Sequence, residues 1–313
     1  MKSPTFSKSK IAIIGAGAVG STAAYVATLK NLAAEIILID VNEQKEAGEV
    51  MDIADGLCFV ETGCIKGADF KDARDADIIV ITAGLAQKPG ETRLDLVKKN
   101  SAILKSIFKQ IGKLKSSAII IMVANPVDIL TYFAQELSGL PKNQVFGSGT
   151  GLDTARLRTD LGDYLKVNPK SIHGYVMGEH GDSEFVAWST VEVGGIPIAK
   201  TKMINKKTLK DIEIKVKKEA YEIINRKGAT FYGIGLVIAE IIEAVLMNQH
   251  KIMPISSRLT NYNGVNDVCL GAPTVIGRSG VEKVWPVELS SSEKNKFKKS
   301  AETLKNYLKQ AME

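Results

Sequence analysis

The first half of the 313-residue chain alternates short, wholly apolar runs with longer amphipathic segments. Such runs are typical of strands buried on both faces of a parallel sheet. The segments between them have the spacing of helices, and this alternation is typical of an α/β fold with a doubly wound parallel sheet. The predicted strands are 11–14, 36–39, 78–81 and 118–123, and the predicted helices are 18–30, 43–57 and 94–112.

The rhythm changes from about Gly147. Helix-like segments now surround short strands and turns, which predicts a mixed α/β unit with antiparallel strands. The predicted helices are 152–166, 206–226, 230–248 and 291–311, and the predicted strands lie near 171–177, 185–193 and 252–276. We place a domain boundary near residue 147, so the expected domains are 1–147 and 148–313.

A glycine turn joins the first predicted strand to the first helix. In Gly15-x-Gly17-x-x-Gly20, the three glycines suit a tight turn, a close approach of the backbone to a pyrophosphate, and close helix–strand packing. The helix N-terminus then favours the negative phosphates. Asp40 closes the next strand, where a carboxylate can accept hydrogen bonds from the ribose hydroxyls of NAD. These features predict a Rossmann-type NAD site, although Asp40 could instead start the turn before Asn42.

Charge and composition narrow the possible partners. The net charge is +6, but the lysines are scattered in pairs that are typical of solvated helix faces. The densest basic region, 294–299, contains no stacking aromatic besides Phe297, so we predict no nucleic-acid partner. No stretch reaches the roughly 18 apolar residues of a membrane span, so we predict no membrane partner.

The three cysteines, Cys58, Cys64 and Cys269, show no C-x-x-C pair and no neighbouring cluster of metal ligands. Their odd number and spacing argue against a disulfide framework and a structural zinc site. The N-terminus is polar and lacks the apolar region of a secretory signal. We therefore expect a cytoplasmic protein that needs no metal.

Several ordered motifs follow the glycine turn: A-G-L-A-Q-K-P-G-E-T-R-L-D-L (83–96), V-A-N-P-V-D (123–128), G-L-D-T-A-R (151–156) and G-E-H-G-D-S (178–183). Together they offer an imidazole, a carboxylate to hold it, and a guanidinium that can bind a substrate carboxylate. Along essentially its whole length, the chain resembles the lactate/malate dehydrogenase family. The resemblance implies an NAD-dependent oxidoreductase that acts on a small 2-hydroxy acid.

The resemblance makes His180 the proton carrier, which suits a group whose pKa lies near 7. Asp153 would fix the tautomer of His180 and stabilise its charged form. Arg156, one helical turn after Asp153, would bind the substrate carboxylate through its guanidinium fork. A purely structural Arg–Asp ion pair is the alternative reading of this spacing.

The resemblance also gives roles to more distant residues. Arg93, in a polar loop expected to close over the substrate, would polarise the reacting carbonyl. Asn125 would bond the same oxygen and help to position the nicotinamide, and Thr230 would pack beside the substrate unless it is simply a core threonine. The implied NAD-binding residues are Gly15, Gly17, Ala18, Val19, Gly20, Asp40, Ala83, Gly84 and Asn125.

Gln87 corresponds to the position that faces the substituent on C2 of the substrate. Malate dehydrogenases of this fold usually have arginine there, because malate carries a second carboxylate that would be costly to bury unpaired. Gln87 therefore favours pyruvate and L-lactate as substrates, although the neighbouring Lys88 could serve a larger acidic substrate. Malate dehydrogenase and a non-catalytic NAD-sensing module are the alternatives.

Arg158 and His173 resemble residues that bind fructose 1,6-bisphosphate at a subunit axis in bacterial members of the family. A guanidinium and an imidazolium contributed by two subunits would suit a doubly phosphorylated sugar. Structural packing is the alternative role for both residues. The resemblance also implies a homotetramer.

Overall fold

A computed structural model of the chain describes residues 9–60, 63–86, 90 and 92–312. Within these residues, nine strands form one large sheet whose parallel part has the order β3-β2-β1-β4-β5-β6. Its strands are β1 (Lys10–Ile14), β2 (Glu35–Ile39), β3 (Ile65–Gly67), β4 (Ile78–Ile81), β5 (Ile119–Met122) and β6 (Val145–Gly147). The helices of this half are α1 (Ala18–Leu29), α2 (Glu43–Asp55), α3 (Arg93–Ile111) and α4 (Val127–Leu137).

Helices cover both faces of the parallel sheet, which explains why its strands are apolar throughout. Ile11 and Ile13 of β1 pack into the core that includes α1. Ala12 and Ile14 point to the other face and pack into the core that includes α3 and α4. The predicted doubly wound sheet of the Rossmann type is thus confirmed.

The remaining elements extend and surround this sheet. The helices are α5 (Gly151–Leu165), α6 (Lys206–Lys227), α7 (Tyr232–Leu246) and α8 (Ser291–Met312). The strands are β7 (Ile172–His173), β8 (Val176–Met177), β9 (Phe185–Val186), β10 (Glu192–Val193), β11 (Ile196–Pro197), β12 (Lys251–Arg258), β13 (Cys269–Gly277) and β14 (Gly280–Val284).

Strands β12, β13 and β14 extend the large sheet with antiparallel pairs. Ser256 of β12 pairs with Gly147 of β6, so the sheet runs across the predicted domain boundary. The predicted strand near 252–276 is two strands, because residues 259–268 turn the chain back. We retain the division into 1–147 and 148–313 as a proposal.

Two small antiparallel sheets, β11-β10-β7 and β8-β9, form the predicted antiparallel part of the second half. The predicted strand at 171–177 is interrupted at Gly174, whose φ of +152° takes it out of the extended conformation. Gly178 exchanges backbone hydrogen bonds with Gly271 of β13, N to O at 3.0 and 2.9 Å. The segment that follows Gly178 is thereby attached to the large sheet.

Helix α8 begins where the serine run predicted it. The Ser290 hydroxyl accepts a hydrogen bond from the Glu293 amide, and the Glu293 carboxylate accepts one from the Ser290 amide. This reciprocal capping satisfies donors at the helix start. Phe297 and Leu304 then pack into a core shared with α3 and α4. None of the helices in the described ranges has the length and apolar character needed to cross a membrane.

Candidate active site

The parallel strands end at one edge of the sheet, and the chain segments that follow them lie side by side there. Gly15 follows β1, Ala83 and Gly84 follow β4, and Asn125 follows β5. An added Cβ at Gly15 would lie 2.7 Å from the Ala83 nitrogen, which shows how closely two of these segments meet. This carboxyl edge is where open α/β sheets bind their ligands.

The glycine turn has the shape that a dinucleotide requires. Gly15 has a φ of +110°, which L side chains rarely adopt, and a Cβ at Gly20 would lie 1.8 Å from the Gly15 carbonyl oxygen. A Cβ at Gly17 would meet no heavy atom within 4 Å, so space is open beside the first residues of α1, Ala18 and Val19. The turn therefore fits a pyrophosphate at the helix N-terminus.

Asp40 is tied to this turn by its carboxylate. One of its oxygens accepts a hydrogen bond from the Ala16 amide at 2.6 Å, and the other accepts one from the Asn42 amide at 2.9 Å. The Asp40 carboxylate therefore binds the glycine turn through Ala16 and also begins the next turn through Asn42. Glu46 accepts a hydrogen bond from the Asp40 amide at 2.7 Å, a contact that the sequence did not reveal.

The second half contributes a hydrogen-bonded line of three side chains. His180 Nδ1 lies 2.7 Å from one carboxylate oxygen of Asp153, and Arg156 Nη1 donates to the other at 2.9 Å. Asp153 and Arg156 lie one turn apart on α5 and are buried, whereas the His180 side chain remains 26% exposed. The structure thus brings together the three predicted residues, and the ion pair considered as an alternative is part of the arrangement.

The charges around His180 favour its protonated form. Burial alone would lower the pKa of His180, but the charge and hydrogen bond of Asp153 outweigh it and raise that pKa from 6.5 to about 9. Burial would in turn raise the pKa of Asp153, yet His180 and then Arg156 keep it below the usual value. Asp153 is therefore an ionised acceptor for the Nδ1–H group of His180. The second ring nitrogen, Nε2, is not bound by Asp153.

Two further buried carboxyl groups flank the imidazole, and sequence reasoning assigned neither. Asp128 on α4 accepts the His180 backbone N–H at 2.8 Å, and burial raises the pKa of Asp128 to about 6. Glu184 Oε2 lies 3.9 Å from His180 Nδ1. Burial, together with the charge of Asp153, raises the pKa of Glu184 to about 8. Both residues lie within or directly beside the quoted motifs, and that proximity was the available signal.

Ligand atoms of Asp153, His180 and Glu184 all lie within 4.8 Å of one another, a spacing that a metal ion could bridge. Both Asp153 oxygens already accept hydrogen bonds, however, from His180 and from Arg156. Holding His180 in position is therefore enough to explain why these groups lie together. The expectation that no metal is needed stays a prediction. All three cysteines are free, and Cys269 is buried.

Arg93 lies against the segment that carries His180. The sequence predicted that Arg93 lies in a loop, but in the structure it is the first residue of α3, because Thr92 caps the helix there. Its Nη2 forms an ion pair with Glu179, and its guanidinium lies 5.4 Å from the centre of the Tyr307 ring. An added Cβ at Gly181 would lie 3.4 Å from both terminal nitrogens of Arg93. Arg93 therefore contacts both sides of the His180 position.

Asn125 is held by a buried asparagine that sequence reasoning missed. Asn100 donates from Nδ2 to the Asn125 carbonyl at 2.7 Å and to the Leu85 carbonyl at 3.1 Å. A Cβ added at Gly84 would lie 3.4 Å from the same Nδ2. Asn100 thus joins the segment after β4 to the segment after β5.

Some predicted residues make no hydrogen bond or ion pair with this cluster among the residues that the structure describes. Gln87 and Lys88 lie outside the described residues, and Thr230 lies between α6 and α7. Arg158 donates from Nη2 to the Gly174 carbonyl at 3.3 Å, and Gly174 directly follows the exposed His173. Burial lowers the pKa of Arg158. The structure therefore places the two predicted anion-binding residues near each other.

Comparison with known proteins accounts for both halves of the chain. The family described as lactate/malate dehydrogenase, NAD binding domain, matches residues 9–147, and the one described as lactate/malate dehydrogenase, alpha/beta C-terminal domain, matches residues 150–313. An L-lactate dehydrogenase of Clostridium botulinum is 48% identical over 309 residues, which cover 96% of each chain. L-lactate dehydrogenase 1 of Listeria innocua is 45% identical over 306 residues, or 97% of each.

A solved structure gives the same result. The ligand-bound minor L-lactate dehydrogenase from Enterococcus mundtii superposes with a TM-score of 0.94 at 40% identity, covering 96% of this chain and 98% of that one. The fold and the relatives together define an NAD-dependent oxidoreductase. The chain belongs to the lactate/malate dehydrogenase family, and within it the relatives favour an NAD-dependent L-lactate dehydrogenase over the malate alternative. The predicted enzyme class and cofactor are confirmed.

Proposed function

We propose that the residues assembled around His180 reduce pyruvate reversibly to L-lactate. The observation that carries this proposal is the line from His180 through Asp153 to Arg156. It combines a proton donor with a cation suited to a carboxylate, and both groups are held by one buried side chain. The turn formed by Gly15, Gly17 and Gly20 would hold NADH, which would supply the hydride for C2 of the substrate.

His180 moves the proton. In its protonated form it donates from Nε2 to the oxygen on C2 as that oxygen gains negative charge, and it accepts the proton back during lactate oxidation. Asp153 stabilises the charged imidazole before the transfer and keeps the ring oriented through it. Asp128 adds a backbone anchor, since it fixes the His180 amide independently of the ring.

The two arginines divide the recognition of the substrate. Arg156 uses Nη1 for Asp153 and its Nε lies 3.8 Å from Glu219, so the N–H groups of Nη2 would bind the pyruvate carboxylate. Arg93 would stabilise the negative charge that develops on the carbonyl oxygen, assisted by Asn125. Thr230 would pack beside the substrate.

Specificity for pyruvate over oxaloacetate would come from Gln87, which offers no positive charge to a second carboxylate. The test compares NADH oxidation with pyruvate and with oxaloacetate in the wild type and in Gln87→Arg. We expect wild type to prefer pyruvate and the variant to shift toward oxaloacetate. Unchanged kcat/KM ratios would remove Gln87 from this role, and a wild-type preference for oxaloacetate would support the malate alternative.

The chemical role of His180 has a separate test with a matched control. His180→Gln should lower turnover with pyruvate by at least about a thousandfold while NADH still binds, because the proton donor is lost but the glycine turn is intact. His250→Gln removes an exposed histidine that lies 2.8 Å from Glu282, and it should leave turnover unchanged. Binding of NADH is measured by fluorescence titration. Full turnover by His180→Gln would disprove the mechanism.

A second proposed site involves Arg158 and His173, which would bind fructose 1,6-bisphosphate across a homotetramer interface. Support comes from the Arg158 guanidinium, which lies at the backbone next to His173 and has a buried Nε without a hydrogen-bond partner among the described residues. The bisphosphate should lower the pyruvate KM of wild type but not of Arg158→Gln. If it changes neither KM nor the sedimentation of wild type, the two residues serve packing alone. A cytoplasmic location and the absence of nucleic-acid and membrane partners stay predictions.

A further inference from the structure

Glu179 lies directly before His180 and forms an ion pair with Arg93 Nη2. The Glu179 side chain is only 1% exposed, whereas that of Arg93 is 24% exposed. A carboxylate removed from water to this extent is stable only when it is paired and hydrogen-bonded. Glu179 Oε1, which faces Arg93 Nη2, has no hydrogen-bond partner among the described residues, so its charge is compensated by the ion pair with the guanidinium.

Glu179 is itself held from two directions. Its Oε2 accepts a hydrogen bond from the Ser183 hydroxyl, and its backbone amide donates to the Ser300 hydroxyl at 2.7 Å. The two hydroxyl oxygens lie 2.9 Å apart. Because Ser300 belongs to α8, the C-terminal helix fixes the residue that fixes Arg93.

Helix α8 also reaches Arg93 directly. The Tyr307 ring, seven residues and two helical turns after Ser300, lies 5.4 Å from the Arg93 guanidinium, within the range of a cation–π contact. Arg93 Nε is buried and has no hydrogen-bond partner among the residues described. The orientation of the guanidinium is thus set by Glu179 on one side and by Tyr307 on another.

We propose that Glu179 is a positioning residue for Arg93, and that Ser300 and Tyr307 of the C-terminal helix complete its support. The negative charge of Glu179 keeps the guanidinium beside His180, where it can meet the developing charge on the substrate oxygen. The inference rests on the role proposed above for Arg93. It makes α8 part of the catalytic apparatus although that helix contributes no reacting group.

A double-mutant cycle tests this dependence. Glu179→Gln keeps the size of the side chain and removes its charge. We expect it to lower kcat with pyruvate by about tenfold or more, with a smaller change in KM, because Arg93 acts on the transition state. In the Arg93→Gln background the same change should alter kcat less than about threefold, since the group that it positions is absent.

Asp160→Asn is the matched control, because Asp160 is also a buried carboxylate paired with a more exposed cation, Lys215 of α6. It should affect the two backgrounds equally. Equal effects of Glu179→Gln in both backgrounds would show a structural role and overturn the inference alone. Full activity of Arg93→Gln would overturn the role of Arg93 as well, so the two failures are distinguishable.

Two milder variants keep the test decisive if Glu179→Gln does not fold. Ser300→Ala removes the hydroxyl that receives the Glu179 amide, and Tyr307→Leu removes the ring beside the guanidinium. Each should lower kcat by several fold in wild type and have little effect when Arg93 is already replaced by Gln. Thermal unfolding of every variant separates a loss of folded protein from a loss of rate. Additive effects on kcat in this cycle would equally overturn the proposal.

Discussion

Asp153→Asn is the perturbation that most directly tests how the site holds its proton. The substitution keeps the shape of the side chain but removes the charge that raises the pKa of His180 from 6.5 to about 9. The difference corresponds to about 3 kcal/mol of preference for the protonated imidazole, at 1.36 kcal/mol per pH unit. Burial of the ring opposes protonation and Asp153 is the largest cause that favours it, ahead of Glu184 and Asp128, so the pKa in the variant should fall well below 9.

The sign of the effect follows from the direction of proton transfer. Pyruvate reduction needs protonated His180, so its rate falls as pH rises through the pKa of His180, while lactate oxidation shows the opposite trend. With a pKa of about 9, His180 is almost wholly protonated at about pH 7.5; with a pKa of 6.5, only about one molecule in ten is protonated. The variant should therefore lose up to about tenfold in kcat/KM at that pH from protonation alone.

The assay measures kcat/KM for pyruvate at saturating NADH between about pH 5.5 and 9.5. Wild type should decline with a midpoint near 9, and Asp153→Asn with a midpoint lower by more than about one pH unit. Glu184→Gln is the control, because the charge of Glu184 raises the pKa of His180 less than Asp153 does. Its midpoint should move by less than about one pH unit. A midpoint near 9 in Asp153→Asn would refute the reasoning.

Two other substitutions test the cofactor and carboxylate sites. Gly20→Ala should weaken NADH binding and lower the melting temperature by several degrees, because the added Cβ would lie 1.8 Å from the Gly15 carbonyl oxygen. Gly48→Ala, in open space on α2, should raise the melting temperature slightly. Calorimetry of both variants checks the difference. Arg156→Lys should raise the pyruvate KM by about tenfold to a hundredfold, since an ammonium cannot bind a carboxylate through a planar fork. Arg226→Lys, at the exposed end of α6, should leave the pyruvate KM unchanged. Steady-state kinetics of the two variants checks this difference.

The sequence predicted the parallel half of the fold well because each strand is buried on both faces. Apolar runs such as 36–39 and 78–81 have one interpretation when amphipathic helices separate them, and both strands lie where expected. The antiparallel half was harder. All nine residues of β13 are buried, so it has no polar alternation to mark it as a separate strand, and the pairing of β12 with β6 depends on contacts distant in sequence.

The same distinction applies to the site. The sequence predicted His180, Asp153 and Arg156 because they lie in motifs that resemble those of a known family, and their residue types suit the chemistry that the resemblance implies. Glu179 and Asn100 were missed because a buried acid or amide acquires its role from partners in other elements. Glu179 meets Arg93 only after α3, α8 and the His180 segment have packed together, and no local pattern encodes that meeting.

The antiparallel pairing of Ser256 with Gly147 has a mechanical consequence. The strand that leads into α5, and hence to Asp153, is hydrogen-bonded to both the cofactor half and the C-terminal half. Through Gly178 and Gly271, the His180 segment is fastened to that same sheet. The glycine turn and the His180 segment are therefore anchored to one continuous scaffold, so a change in strand pairing at Gly147 would be transmitted to both.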